Sequence, residues 1–93
     1  MSESFMCGSW FEGEQTDVGF ELSNEGGEQY FFRVSAQVIN QNIELEGCHA
    51  LDKFRYFEED MLTMALSLID DGCCEEGSEF KISAAQFKQS FVQ

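Results

Sequence analysis

The run of apolar residues between positions 49 and 71 constrains the fold of this chain more than any other segment. Apolar residues recur there at intervals of three and four, which is the spacing of an amphipathic helix that turns one side toward a core. They are Leu51, Phe54, Phe57, Met61, Ala65 and Leu68. Gly72 follows the run, at a place where glycine commonly ends a helix in a left-handed conformation. The spacing predicts one long helix over residues 49–71.

A β-hairpin is predicted over residues 18–34. Apolar residues alternate with other residues on both sides of the segment 23–27, as they do in half-buried strands. The alternating residues are Val18, Phe20, Leu22, Tyr30, Phe32 and Val34. Segment 23–27, Ser-Asn-Glu-Gly-Gly, has turn chemistry, because its two glycines readily adopt positive φ.

Two five-residue segments resemble each other: residues 32–36 read FRVSA and residues 80–84 read FKISA. Each pattern predicts a short strand followed by a serine that caps the N-terminus of a short helix. The helix after the second segment is expected to carry Phe87 and Phe91. Two short copies do not make a solenoid, so the repeat indicates that one local solution is used twice.

These elements predict an α+β fold in a single domain spanning residues 1–93. We expect a small, mostly antiparallel sheet made of the hairpin and short edge strands, including one over residues 5–11. The sheet is expected to pack on one long helix and one or two short helices. Hydrophobic residues make up 43% of the chain and ten residues are Phe, which is too apolar for a disordered acidic tail.

Residues 18–39 and 50–69 resemble, in order and spacing, a family of small bacterial proteins catalogued as a domain of unknown function, number fourteen eighty-eight. The helix positions that match the pattern of that family are Ala50, Leu51, Phe54, Phe57, Asp60, Met61, Ala65, Leu68 and Ile69. Trp10 falls near a tryptophan that the family keeps before its hairpin. The resemblance implies a hairpin, a short helix and a long helix, and it implies no reaction. The adjacent pair of cysteines and residues 83–93 depart from the pattern.

The chain is strongly acidic, with 18 Asp and Glu against 5 Lys and Arg and a net charge of −13. Proteins bind nucleic acid and anionic lipid through cations that neutralise phosphates, so we expect neither direct nucleic-acid binding nor membrane binding. A basic protein partner is expected, because complementary charge steers association. The alternative is that the acidity only keeps the protein in solution.

The first residues and the cysteine usage predict a cytoplasmic protein. Residues 1–4 lack the basic region and apolar run of a signal peptide, and no apolar stretch approaches the roughly 20 residues of a membrane span. The cysteines are therefore expected to be reduced and mostly buried. They are Cys7, Cys48, Cys73 and Cys74. Their spacing lacks the short cysteine pair typical of zinc sites, so no metal is expected.

No catalytic site and no cofactor are predicted. His49 is the only histidine, and we expect it at the surface in the first turn of the long helix. Residues 70–76 are acidic but lack the spacing of an EF-hand calcium loop. Glu58, Glu59 and Asp60 are consecutive on a helix, where neighbours point about 100° apart, so they do not form a facing pair of acids.

Two features are predicted to bind a partner. The first is a set of acidic runs along and after the long helix, with carboxylates at Glu58, Glu59, Asp70, Asp71, Glu75, Glu76 and Glu79. The second is a further apolar stripe of that helix, which includes Leu62 and Leu66. A helix that is apolar on two sides is buried on both, so this stripe either completes the core or forms the interface of a homodimer.

Two hypotheses for the function follow. In the first, the chain is an inhibitor whose carboxylates mimic nucleic-acid phosphates and occupy the basic groove of a DNA- or RNA-handling protein, as anti-defence proteins of phages and plasmids do. In the second, it is a dimeric housekeeping protein with a regulatory or interaction role, and its acidity serves solubility alone. One continuous acidic face would favour the first hypothesis, and scattered carboxylates would favour the second.

Overall fold

A computed structural model describes residues 4–14 and 16–90 and confirms the α+β class. Four strands and four helices follow one another within these residues. In chain order they are β1 (Ser4–Glu12), β2 (Asp17–Asn24), β3 (Gln29–Ser35), α1 (Ala36–Asn42), α2 (Ala50–Tyr56), α3 (Glu58–Asp70), β4 (Glu79–Ile82) and α4 (Ala84–Ser90). The predicted hairpin and first strand are present, while Phe91, expected on the last helix, lies outside the described residues.

The four strands form one mixed sheet in the order β1-β2-β3-β4. The first three strands are an antiparallel meander, and β4 joins the free side of β3 in parallel. The two similar segments of the sequence are neighbours in this sheet. Phe32 pairs with Phe80 and Val34 with Ile82, so the two copies lie side by side in register. Each copy leads into a short helix, α1 or α4.

The core lies between the helices and one face of the sheet. The apolar residues on this face of β2, β3 and β4 are buried, apart from Tyr30 and Phe80, which are half-buried; this confirms the alternation in the sequence. Phe54 of α2 has no exposed surface, and its ring centroid is 4.7 Å from that of Phe20. Phe20 also stacks on Phe32 at 5.0 Å. These large aromatic contacts supply much of the apolar burial that stabilises a small domain.

The opposite face of the sheet carries a close contact between Trp10 and Gly19, which are paired residues of β1 and β2. A Cβ atom on residue 19 would lie 2.6 Å from Nε1 of Trp10 and 2.9 Å from its Cε2. The indole N–H donates a hydrogen bond of 2.8 Å to the carboxylate of Glu12. Because glycine has no Cβ atom, residue 19 leaves room for the indole ring of Trp10.

The prediction of one helix over residues 49–71 is wrong, because the chain forms two helices, α2 and α3, with a break at Phe57. Phe57 has φ −106° and ψ 33°, which lies outside the helical region. Aromatic residues at positions 54, 56 and 57 have modest helix propensity. The acidic triplet 58–60 fills the first turn of α3, where the helix dipole favours negative charge. The acidic triplet, which the sequence spacing places within one long helix, is thus the start of a second helix.

Candidate partner-binding groove

A surface groove of about 550 Å³ lies between the end of the β2–β3 hairpin and the C-terminal half of α3. We call it the hairpin groove. Its lining residues are Ser4, Asn24, Glu28, Tyr30, Leu66, Ile69 and Asp70. The set combines three apolar or aromatic side chains with two carboxylates, so the groove offers an apolar floor beside negative charge.

Asn24 fixes the hairpin side of the groove. Its side-chain oxygen accepts hydrogen bonds of 3.0 Å from the backbone N–H groups of Gly26 and Glu28. Gly27 has φ +82°, a conformation that favours glycine, and its N–H donates to the carbonyl of Asn24. These bonds define the turn, which places Glu28 just before β3 and Tyr30 near the start of that strand. The Tyr30 hydroxyl then donates a hydrogen bond of 2.8 Å to the Glu28 carboxylate.

The helix side of the groove comes from the last turns of α3. Leu66 and Ile69 are half-buried and pack against the core, while Asp70 is exposed. The last turn of α3 contains no basic residue. Because the C-terminus of a helix carries partial negative charge, a carboxylate there is unfavourable and a cation would be stabilised. The groove therefore opens beside an electrostatic mismatch that no ion pair within the described part of the chain compensates.

The acidic loop after α3 runs along the same side of the hairpin. The N–H of Gly77 donates a hydrogen bond of 2.8 Å to the carbonyl of Gln29. The pKa of Tyr30 is raised, first by its hydrogen bond to Glu28, then by burial, and further by the negative charges of Glu28 and Glu76. Two carboxylates, those of Glu28 and Glu76, therefore lie close enough to this phenol to act on its pKa.

None of the five Lys and Arg side chains lines the groove. Arg33 is 2.7 Å from Asp17, 3.2 Å from Glu12 and 3.8 Å from Glu79, and the hydrogen bond to Asp17 is the main cause of its raised pKa. Arg55 donates to the hydroxyl and the carbonyl oxygen of Ser9. Lys53 is only 9% exposed. Within residues 4–14 and 16–90, no ion pair reaches the carboxylates of the groove.

The structure brings some of the predicted partner-binding residues together and separates others. Leu66 and Asp70 both line the groove, and Glu76 lies close enough to act on Tyr30. Glu58 and Glu59 lie at the other end of α3, about 16 Å away along the helix axis.

The remaining predicted residues lie outside the groove. Asp71 and Glu75 are exposed after α3, and Leu62 is half-buried against the core. Glu79 lies at the start of β4 and contacts Arg33. Between the two acidic ends of α3, the exposed positions Thr63 and Ser67 are neutral. The carboxylates on this helix therefore form two patches and not one continuous row.

Sequence reasoning missed the hairpin contribution, Asn24, Glu28 and Tyr30. The sequence patterns place Asn24 in a turn and Tyr30 at an inward-facing strand position, and they assign no role to Glu28. The spacing Asn24-x-Gly26 was an available signal, because asparagine side chains commonly bond to the backbone two residues ahead in turns. That such a turn would meet the end of α3 depends on the tertiary packing of two distant segments.

The cysteines are free thiols, but the prediction that they are mostly buried is wrong. Cys7 is exposed because it occupies the irregularity in the pairing of β1 with β2, and its thiol lies 3.1 Å from the Ser23 hydroxyl. Cys73 is exposed in the turn after Gly72. Cys74 is half-buried, and burial, together with the adjacent Cys73, raises the pKa of its thiol to about 11.

His49 is exposed, as predicted, and it has a structural role. Its Nδ1 accepts a hydrogen bond of 3.2 Å from the N–H of Asp52, so the imidazole caps α2. The ring also makes an edge contact with Phe11. Among residues 4–14 and 16–90, no three His, Cys, Asp or Glu side chains are grouped in a way that could hold a metal ion. No helix in this part of the chain is both long enough and apolar enough to cross a membrane.

Comparisons with protein-family models, with curated proteins and with solved structures give no match to this chain. The resemblance to the domain of unknown function stays a prediction from the sequence.

Proposed function

We propose that this protein is a non-catalytic binding module that recognises a basic surface on another protein. The observation that carries the proposal is the separation of charge in the fold. Arg33 forms ion pairs with three carboxylates on one face of the sheet. The carboxylates of α3 and the following loop, in contrast, have no cationic partner within the described residues. A basic surface of a partner interacts most favourably with carboxylates that are not already neutralised by a cation of their own chain.

Nucleic-acid mimicry is the narrower form of this proposal. It requires that the partner use the same basic groove for this protein and for DNA or RNA. The two acidic ends of α3 are about 16 Å apart, which is compatible with a surface that meets two separated phosphate-binding patches. The neutral positions between them favour two localised contacts over imitation of an unbroken backbone.

A regulatory homodimer is the second candidate. It would use the apolar stripe of α3 that contains Leu62 and Leu66. Both side chains are half-buried against the core of their own chain, and Leu66 also lines the groove. The remaining exposed part of the stripe is small, so the charge-based proposal is the stronger one.

The test of the proposed function compares two variants of equal net charge. One replaces Glu59, Asp70 and Glu76 with the matching amides, and the control replaces Glu14, Glu25 and Glu46 with glutamine; all six positions are exposed. Proteins captured by wild type at low salt are purified and their affinities are measured by calorimetry at two salt concentrations. We expect affinity to fall with salt and to fall further in the first variant, with the control close to wild type.

A captured partner whose affinity is insensitive to salt, or equally reduced in both variants, would contradict the proposal. Competition with labelled nucleic acid tests the narrower form. If the partner holds nucleic acid and this protein at the same time, mimicry is excluded while the charge-based interaction stands.

A further inference from the structure

We propose that the hairpin groove receives an arginine side chain of the basic partner. This inference rests on the proposed function and identifies one contact within it. The groove joins an apolar floor to carboxylates that no cation within the described residues neutralises. That combination matches the two parts of an arginine side chain, an aliphatic stem and a planar cation.

The floor of the groove suits the stem and the flat guanidinium group. Leu66 and Ile69 present half-buried aliphatic surface, and Tyr30 presents a half-buried ring. Guanidinium groups are weakly hydrated and stack on aromatic rings, whereas a lysine ammonium is strongly hydrated and acts as a point charge. An aromatic floor therefore favours arginine over lysine.

The rim supplies the complementary charge from two directions. Glu28 stands on the hairpin side, with one oxygen engaged by the Tyr30 hydroxyl. Asp70 stands on the helix side, at the negative end of the α3 dipole. Hydrogen bonds between guanidinium and carboxylate are charge-assisted, and a cation here would also relieve the mismatch at the helix C-terminus.

The chemistry of the groove excludes the main anionic occupants. Phosphate groups of nucleic acid or lipid would meet Glu28, Asp70 and the nearby Glu76 without a neutralising cation among the described residues. A second copy of this chain is also disfavoured, because each copy has a net charge of −13 and their acidic surfaces repel each other. A positively charged side chain from a different protein is the occupant that the charges select.

The test uses the whole protein labelled with ¹⁵N and three short blocked peptides, Gly-Xaa-Gly, in which Xaa is arginine, lysine or citrulline. Citrulline has the shape of arginine without its charge. We expect the arginine peptide to shift the amide resonances of residues 24–30 and 66–72, with an affinity about tenfold above that of the citrulline peptide. The lysine peptide is expected to bind more weakly than arginine.

Two groove variants, Glu28→Gln and Asp70→Asn, should each weaken arginine binding, while the matched change Glu46→Gln, at an exposed position that does not line the groove, should leave it unchanged. Thermal unfolding checks that the variants stay folded.

Equal shifts from arginine and citrulline, or shifts centred on Glu58 and Glu59, would overturn the groove assignment. If a basic partner binds with strong salt dependence but is insensitive to both groove variants, this inference fails and the proposed function stands. If no partner shows charge-dependent binding, the proposed function itself fails.

Discussion

Gly19→Ala should destabilise the protein mainly through the contact between residue 19 and the indole of Trp10; Cγ of Glu12, 3.1 Å from the added Cβ, is the other close atom. The added Cβ would lie 2.6 Å from Nε1 and 2.9 Å from Cε2 of Trp10. Favourable carbon contacts require about 3.5–4.0 Å, so the ring must move by roughly 1 Å. Such overpacking typically costs about 1–3 kcal/mol. The hydrogen bond from the indole to Glu12 is then weakened as well, at about 0.5–1.5 kcal/mol.

A gain opposes these losses, because replacing glycine with alanine within a strand is favourable by about 0.5–1 kcal/mol when the backbone conformation permits it. Gly19 lies inside β2, away from the positive-φ glycines, so the backbone accepts alanine. The net loss in the free energy of unfolding is therefore about 1–3 kcal/mol. Trp10 is the only tryptophan, so its fluorescence should also report the displacement of the ring.

The assay is a double-mutant cycle with Trp10→Ala, measured by urea unfolding and far-ultraviolet circular dichroism. In the Trp10→Ala background only Cγ of Glu12, at 3.1 Å, stays close to the added Cβ. Without the indole this side chain is released from its hydrogen bond and can shift, so Gly19→Ala should stabilise by about 0.5–1 kcal/mol. The change of sign is the decisive observation. Equal destabilisation in the two backgrounds would refute the idea that the indole ring is what requires glycine at position 19.

Four further predictions concern the core, one thiol and the state of association. Phe54→Ala should cost about 3–5 kcal/mol because the side chain is fully buried, and a loss below about 1 kcal/mol in urea unfolding would show that it is not core. Cys74 should react with an alkylating reagent at pH 8 more slowly than Cys73, as measured by mass spectrometry, because the pKa of its thiol is raised to about 11. Between pH 9 and about 11 the unfolded thiol loses its proton while the folded one keeps it, so this group lowers the free energy of unfolding as pH rises; a Cys74→Ser variant should lack that contribution. Wild type and Leu62→Glu should both sediment as monomers at high micromolar concentration, and a dimer of wild type that Leu62→Glu dissociates would favour the homodimer.

The strand pattern was predictable because alternation directly reports which side of a sheet is buried. Phe20, Leu22 and Phe32 occupy the core positions that their spacing indicates. The break at Phe57 was not predictable from periodicity, since the apolar spacing of α2 continues into α3 without a shift. Only the acidic first turn of α3 signalled a new helix.

Part of the candidate site was likewise predictable from the sequence, and part was not. Leu66 and Asp70 belong to a helix whose sequence indicates an apolar side and an acidic end, so both were predicted as partner-binding residues. Glu28 and Tyr30 belong to a hairpin, and nothing local indicates which helix they will face. The groove exists because two segments about forty residues apart meet, and contacts of that range depend on the packing of the whole domain.

The parallel pairing of β3 with β4 has a consequence for the order in which the chain can fold. The meander of β1, β2 and β3 uses only neighbouring segments and can assemble once residue 35 has left the ribosome. The partner of β3 on its other side arrives more than forty residues later. Long-range parallel pairing forms slowly because the intervening loop must be closed first. Until β4 arrives, β3 presents an unpaired edge that can pair with another nascent chain, so the docking of β4 also protects the chain from aggregation during synthesis.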